Sequence, residues 1–105
     1  MADAKKIEEL RAKFGPDVTI LETAGEIVII RKPSRMEYAR FRQLLLSEDA
    51  RQKSTANEVL ASGSMVWPEG MVEREAVFDR APAIIDTIAS EAARLAGAGA
   101  EAKKL

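Results

Sequence analysis

A chain of 105 residues is long enough for one domain with a modest hydrophobic core and too short for two. Apolar residues make up 47% and charged residues 31%, a composition typical of globular proteins rather than disordered ones. The net charge is −1, which does not favour nucleic acid, and the absence of cysteine and histidine excludes disulfides, thiolate zinc sites, cysteine nucleophiles and histidine bases.

No segment of the sequence predicts a membrane span or a signal peptide. The longest run of bulky apolar residues, IVII at 27–30, is far shorter than a bilayer requires. The first ten residues, MADAKKIEEL, are charged and polar, unlike a secretory signal. We therefore expect a cytoplasmic protein.

The first part of the chain predicts a helix followed by a β-hairpin. The helix spans 3–14, is capped by Asp3 and ends at Gly15-Pro16, and its apolar face is formed by Ile7, Leu10 and Phe14. Strands over 17–22 and 26–32 flank the turn Thr23-Ala24-Gly25, where glycine allows a positive φ.

Four consecutive β-branched residues at 27–30 make both faces of the second strand apolar. Because a two-stranded hairpin is marginal alone, we expect helices to cover at least one face. A partner or a second copy could cover the other face, which makes Ile27 and Ile29 candidate contacts.

The rest of the chain predicts four helices, at about 34–46, 50–61, 71–78 and 83–96. The first begins with the capping box Ser34-Arg35-Met36-Glu37, and residues 62–70 are predicted to form a loop. The fold class is therefore α+β and mostly helical, with a single domain over 1–96 and a flexible tail over 97–105.

We found no catalytic, metal-binding or phosphate-binding motif in the sequence, so we expect a protein that is not an enzyme and uses no cofactor. Residues 31–53 carry seven basic side chains against three acidic ones. This segment is either a patch for an acidic partner, a weaker candidate for nucleic acid, or a solvated helix face.

The single tryptophan, Trp67, lies in a Pro/Gly-rich segment and is either a partner contact or a lid over the core. The candidate partner-binding residues come from this segment, from the predicted helix over 71–78, from the basic segment and from the hairpin. They are Trp67, Met71, Val72, Arg35, Arg40, Arg42, Ile27 and Ile29.

The order of these features resembles the small tail assembly chaperones of long-tailed phages and prophages. The matching residues are Lys13-Phe14-Gly15 at the helix end, Arg31-Lys32-Pro33-Ser34-Arg35 before the next helix, Glu37-Tyr38 within it, and Trp67-Pro68-Glu69 in the middle of the chain. The resemblance covers about residues 5–96.

The resemblance implies a non-enzymatic role in phage tail and virion assembly, as a late protein in the host cytoplasm. Such proteins bind the long helical tape measure protein and keep it soluble. Two alternatives remain open: a structural component of a virion or another assembly that uses the hairpin edge, and a small nucleic-acid-associated regulator that uses residues 31–53. The chain could also form a homo-oligomer.

Overall fold

The computed structural model describes residues 4–15 and 18–97, which form five α-helices and a three-stranded antiparallel sheet. The predicted Asp3 cap, Pro16 and the tail from residue 98 lie outside the described residues. The mostly helical α+β fold is confirmed. In chain order the elements are α1 (Ala4–Phe14), β1 (Thr19–Thr23), β2 (Glu26–Ile30), α2 (Arg35–Leu45), α3 (Ala50–Ser64), β3 (Met65–Trp67), α4 (Met71–Arg80) and α5 (Ile84–Leu95).

The predicted hairpin is present and closes through the two-residue loop Ala24-Gly25. Both residues have positive φ, 51° and 76°, as a type I′ turn requires. β1 pairs with β2 in a regular register over five residue pairs, from Thr19 opposite Ile30 to Thr23 opposite Glu26. β2 ends at Ile30, two residues before the predicted end of the strand.

The predicted loop over 62–70 is corrected by the structure, because α3 continues to Ser64 and residues 65–67 form β3. β3 pairs antiparallel with the free side of β2, with Ile30 opposite Met65 and Ile29 opposite Trp67. Val66 is thus the extra residue of a β-bulge. A three-residue strand has too little pattern to be read from sequence, and only its pairing with β2 defines it.

The two faces of β2 lie in two separate hydrophobic clusters. Val28 and Ile30 point into the main core, where α2–α5 cover them. Ile29 points to the opposite face and packs with Leu10 of α1 and with Val66. The expectation that a partner could cover the second face is therefore corrected, since α1 of the same chain covers Ile29.

The helices on the inner face pack through their apolar stripes. α2 and α3 form an antiparallel helical pair, and α3 also packs on α5. The deepest apolar positions belong to α3, α4 and α5, and the residues there are Ala56, Leu60, Ala61, Val77, Ile84, Ile88 and Ala92. Gly97, with φ of 100°, follows α5, as a glycine commonly does at the end of a helix.

Candidate functional site

The predicted contacts on the sheet are more buried than the sequence suggested. Ile29 is 0% exposed, so no part of it is available to a partner. Trp67 is half-buried against the α1 side of the sheet, and the Nζ atom of Lys6 lies 5.8 Å from the centre of the Trp67 ring. The bulge at Val66 directs both Val66 and Trp67 to this face, so Trp67 acts largely as a lid.

Ile27 and Trp67 meet in a cleft of about 390 Å³ between the end of the hairpin and α4. Arg80 and Glu26 form a bidentate ion pair at this cleft, with Nε–Oε1 and Nη2–Oε2 distances of 2.5 and 3.1 Å. The hydrogen bond from Arg80 lowers the pKa of Glu26. The sequence thus predicted two residues of this cleft without indicating that they meet.

The other two apolar candidates lie at the beginning of α4. Met71 is 67% exposed and Val72 is 80% exposed. Neither residue lines any of the clefts described here. They form a small exposed apolar pair outside these clefts.

Two of the three candidate arginines share one face of α2, because successive residues of an α-helix are rotated by about 100° and Arg35 and Arg42, seven residues apart, lie within about 20° of each other. Arg40 lines a groove between α2 and α3. Arg35 lines a separate cavity with Phe14 and Tyr38. Arg42 is exposed and lies about 160° around the helix from Arg40. Arg35 and Arg42 therefore lie on one face of α2, and Arg40 lies on the opposite side at the groove.

The groove between α2 and α3 combines an apolar interior with a charged rim. Its volume is about 290 Å³. Met36, which is 83% exposed, and Val59, which is 40% exposed, stand at its two walls above the buried Leu60. The remaining lining residues are Glu37, Arg40 and Gly63. We call this feature the α2–α3 groove.

A network at one end of the groove holds the two helices together. The Arg31 guanidinium donates two hydrogen bonds of 2.7 Å to the Glu37 carboxylate and a third of 2.9 Å to the carbonyl of Gly63, near the end of α3. Glu37 also accepts a 2.8 Å hydrogen bond from the Ser34 backbone N–H, and Ser34 Oγ accepts from the Glu37 N–H at 3.1 Å. The hydrogen bonds from Arg31 lower the pKa of Glu37 to about 2. The predicted capping box is confirmed, and its glutamate has a second partner.

Met36, Val59 and Gly63 are absent from the set of partner-binding residues that the sequence predicts, and Met36 and Val59 fall at apolar positions of predicted helices. The helical spacing indicates that Met36 lies away from the buried face of α2, because it is about 140° around the helix from the buried Phe41. For Val59 the spacing was misleading, since it adjoins buried Leu60 and its exposure depends on how α2 crosses α3. Gly63 lies beside Glu37 at the end of the groove, where an added Cβ would lie 3.5 Å from Glu37 Oε2.

The α2–α3 groove offers a partner apolar contacts from Met36, Val59 and Leu60 and a positive charge from Arg40. Among residues 4–15 and 18–97, no group of three or more acidic side chains is placed to hold a metal ion. No helix in the same part of the chain is both long and apolar enough to cross a membrane.

Comparisons with protein-family models, with curated proteins and with solved structures found no match.

Proposed function

We propose that this chain is a non-enzymatic binding module that holds an amphipathic helix of another protein in the α2–α3 groove. The observation that carries the proposal is the large exposure of Met36 beside an apolar groove whose rim includes Arg40. An exposed methionine adapts to different apolar side chains, and grooves between two helices are a common docking place for a third helix.

The groove is organised before a partner arrives. The Arg31–Glu37 ion pair joins the beginning of α2 to the end of α3, so the two walls keep their spacing. Because preformed sites lose less conformational entropy on binding, even a short groove can contribute to affinity.

The charge at the rim favours an acidic partner. Arg40 is exposed, and its Nη1 donates only a 3.4 Å hydrogen bond to Gln43 within the described residues. A partner helix with apolar residues three or four positions apart and a carboxylate on the flank would match Met36, Val59 and Arg40 together. Such charges steer association more than they add affinity.

This chemistry supports the tail assembly chaperone role that the resemblance implies. A tape measure protein is a long helical chain with apolar stripes, and covering those stripes keeps it soluble. Arg40 lies on the side of α2 opposite Arg35 and Arg42, so the three arginines do not form one continuous basic surface of the kind that nucleic-acid binding uses. The structural-component alternative has one supporting observation, the uncovered edge of β1.

Co-expression with a tape measure-type protein, the partner that the resemblance implies, tests the proposal. We expect the wild-type chain to copurify with that protein and to raise its soluble fraction, and Met36→Ser and Arg40→Glu to lose both effects. Arg42→Glu is the matched control for Arg40→Glu, since it reverses the same charge on the same helix away from the groove. Val72→Ser is the matched control for Met36→Ser, since both residues are at least 80% exposed.

All four variants should unfold within about 0.5 kcal/mol of the wild type, as is usual for exposed positions. Equal loss of binding in Arg40→Glu and Arg42→Glu would place the contact outside the groove. No copurification of the wild-type chain would overturn the chaperone role itself. Mass spectrometry of purified particles separates the structural-component alternative, since a chaperone is absent from the finished particle.

A further inference from the structure

The outer edge of β1 is unpaired within the described residues. The sheet order is β1-β2-β3, so β1 has a neighbour on one side only. The type I′ turn determines which backbone groups point outward, because Thr23 and Glu26 form the hydrogen-bonded pair that closes a two-residue loop. The pairs then alternate along the ladder, and the N–H and C=O groups of Ile20 and Glu22 point away from β2.

The two edges of the sheet differ in how well they are protected against pairing with another chain. β3 is three residues long, contains the bulge and is followed directly by Pro68, and each of these features discourages a further strand. β1 is five residues long, has a regular register, and contains neither lysine nor proline. Its one charged residue is Glu22.

The edge also carries an exposed apolar side chain. Ile20 is 44% exposed, on the face of the sheet where α1 covers Ile29 but leaves Ile20 partly open. Exposed isoleucine on a regular edge strand is the pattern that proteins usually avoid unless a strand is added there.

We propose that two copies of this chain pair antiparallel through β1, around a two-fold axis at Ile20, and form a continuous six-stranded sheet. This register puts Ile20 opposite Ile20 of the second copy and Thr19 opposite Leu21 of the second copy. It also places Glu22 opposite Val18 of the second copy, so the two carboxylates stay apart. The proposal concerns a surface other than the α2–α3 groove and does not depend on the proposed function.

The side chains select this register over its neighbours. Pairing centred on Leu21 would put each exposed Ile20 opposite Glu22 of the second copy and lose the contact between the two isoleucines, whereas Val18, which meets Glu22 in the proposed register, is already buried in its own chain. Pairing centred on Glu22 would put two carboxylates directly opposite each other, which is destabilising. Centring on Ile20 uses the outward N–H and C=O groups of Ile20, and those of Glu22 with Val18 of the second copy, and pairs the exposed apolar groups with each other.

The absence of cysteine from the chain gives a direct test. A hydrogen-bonded antiparallel pair has Cα atoms about 5.5 Å apart, which a disulfide can bridge. We expect Ile20→Cys to form a disulfide-linked dimer as its main product under mild oxidation with copper–phenanthroline. Leu21→Cys and Glu22→Cys should form much less, and Val72→Cys, which is exposed on α4, should set the level of random collision.

Sedimentation equilibrium of the wild-type chain should show the mass double from 11.5 kDa as concentration rises to about 1 mM, the weak end of specific association. Ile20→Lys should remain monomeric over the same range, because a lysine on an edge strand opposes pairing. A wild-type chain that stays monomeric, or Ile20→Cys cross-linking no better than Val72→Cys, would overturn the proposal. Stronger cross-linking at residue 21 or 22 than at residue 20 would overturn the register.

Discussion

Replacing Glu37 with glutamine removes the charge that joins α2 to α3 and keeps the side-chain size. One pH unit of pKa change corresponds to about 1.4 kcal/mol, so lowering the Glu37 pKa from 4.5 to about 2 sets an upper limit of about 3.4 kcal/mol. Because 33% of the Glu37 side chain is exposed and water screens the pair, we expect about half of that limit, about 1.5–2 kcal/mol, to be lost at pH 7.

The direction of the Glu37 pKa change determines how the stability difference varies with pH. The pKa of Glu37 is lower in the folded chain than in the unfolded chain, so its stabilisation is fully present above the unfolded value of about 4.5 and is lost as pH falls toward about 2. The difference in unfolding free energy between wild type and Glu37→Gln should therefore be constant from pH 7 to about pH 5 and shrink steadily below that.

Urea unfolding followed by tryptophan fluorescence at a series of pH values measures this difference, since the chain has a single tryptophan. Glu58→Gln is the control, because Glu58 is an exposed α3 residue for which no ion pair or side-chain hydrogen bond is described, and its change should stay within about 0.5 kcal/mol. A Glu37→Gln effect that is absent at pH 7, or that does not shrink between pH 5 and pH 3, would refute the role assigned to the Arg31–Glu37 pair.

Three further changes have expected outcomes in the same unfolding assay. Ala24→Asn should stabilise the hairpin by about 0.5–1 kcal/mol, since Ala24 has a φ of 51° and asparagine followed by glycine suits a type I′ turn; an unchanged or lower midpoint would contradict this. Ile29→Ala should cost about 2–4 kcal/mol, because Ile29 is fully buried within the chain, and a small cost would show that it is not part of the core. Gly63→Ala should be neutral or stabilising by up to about 1 kcal/mol, because the new Cβ meets Glu37 Oε2 only at an ordinary contact distance; a marked loss would show that the end of α3 cannot accept a methyl group.

Local sequence signals were sufficient for most helices and for the hairpin. The capping box at Ser34, the glycine in the turn and the run of β-branched residues at 27–30 act through neighbours in the chain, so their outcome could be read without knowing the rest of the fold. The helix predicted over 83–96 has an equally clear pattern, since Ile84, Ile88 and Ala92 recur every four residues and all three are buried.

Tertiary structure alone decided which apolar and charged side chains remain at the surface. Ile29 and Met36 are both apolar residues in well-predicted elements, yet Ile29 is covered by α1 and Met36 is left open at the α2–α3 groove. Arg40 and Arg42 are separated by one residue in sequence but by nearly half a turn around α2.

The short strand β3 shows that backbone structure can also depend on tertiary contacts. In isolation Met65 to Trp67 would be predicted as a loop. These residues are a strand because the open side of β2 offers pairing partners 35 and 38 residues earlier in the chain. The sequence by itself determined the elements whose stabilising contacts are local. The sheet order, the helix that covers each face and the groove depend on contacts between distant segments, and no pattern in a single segment contains them.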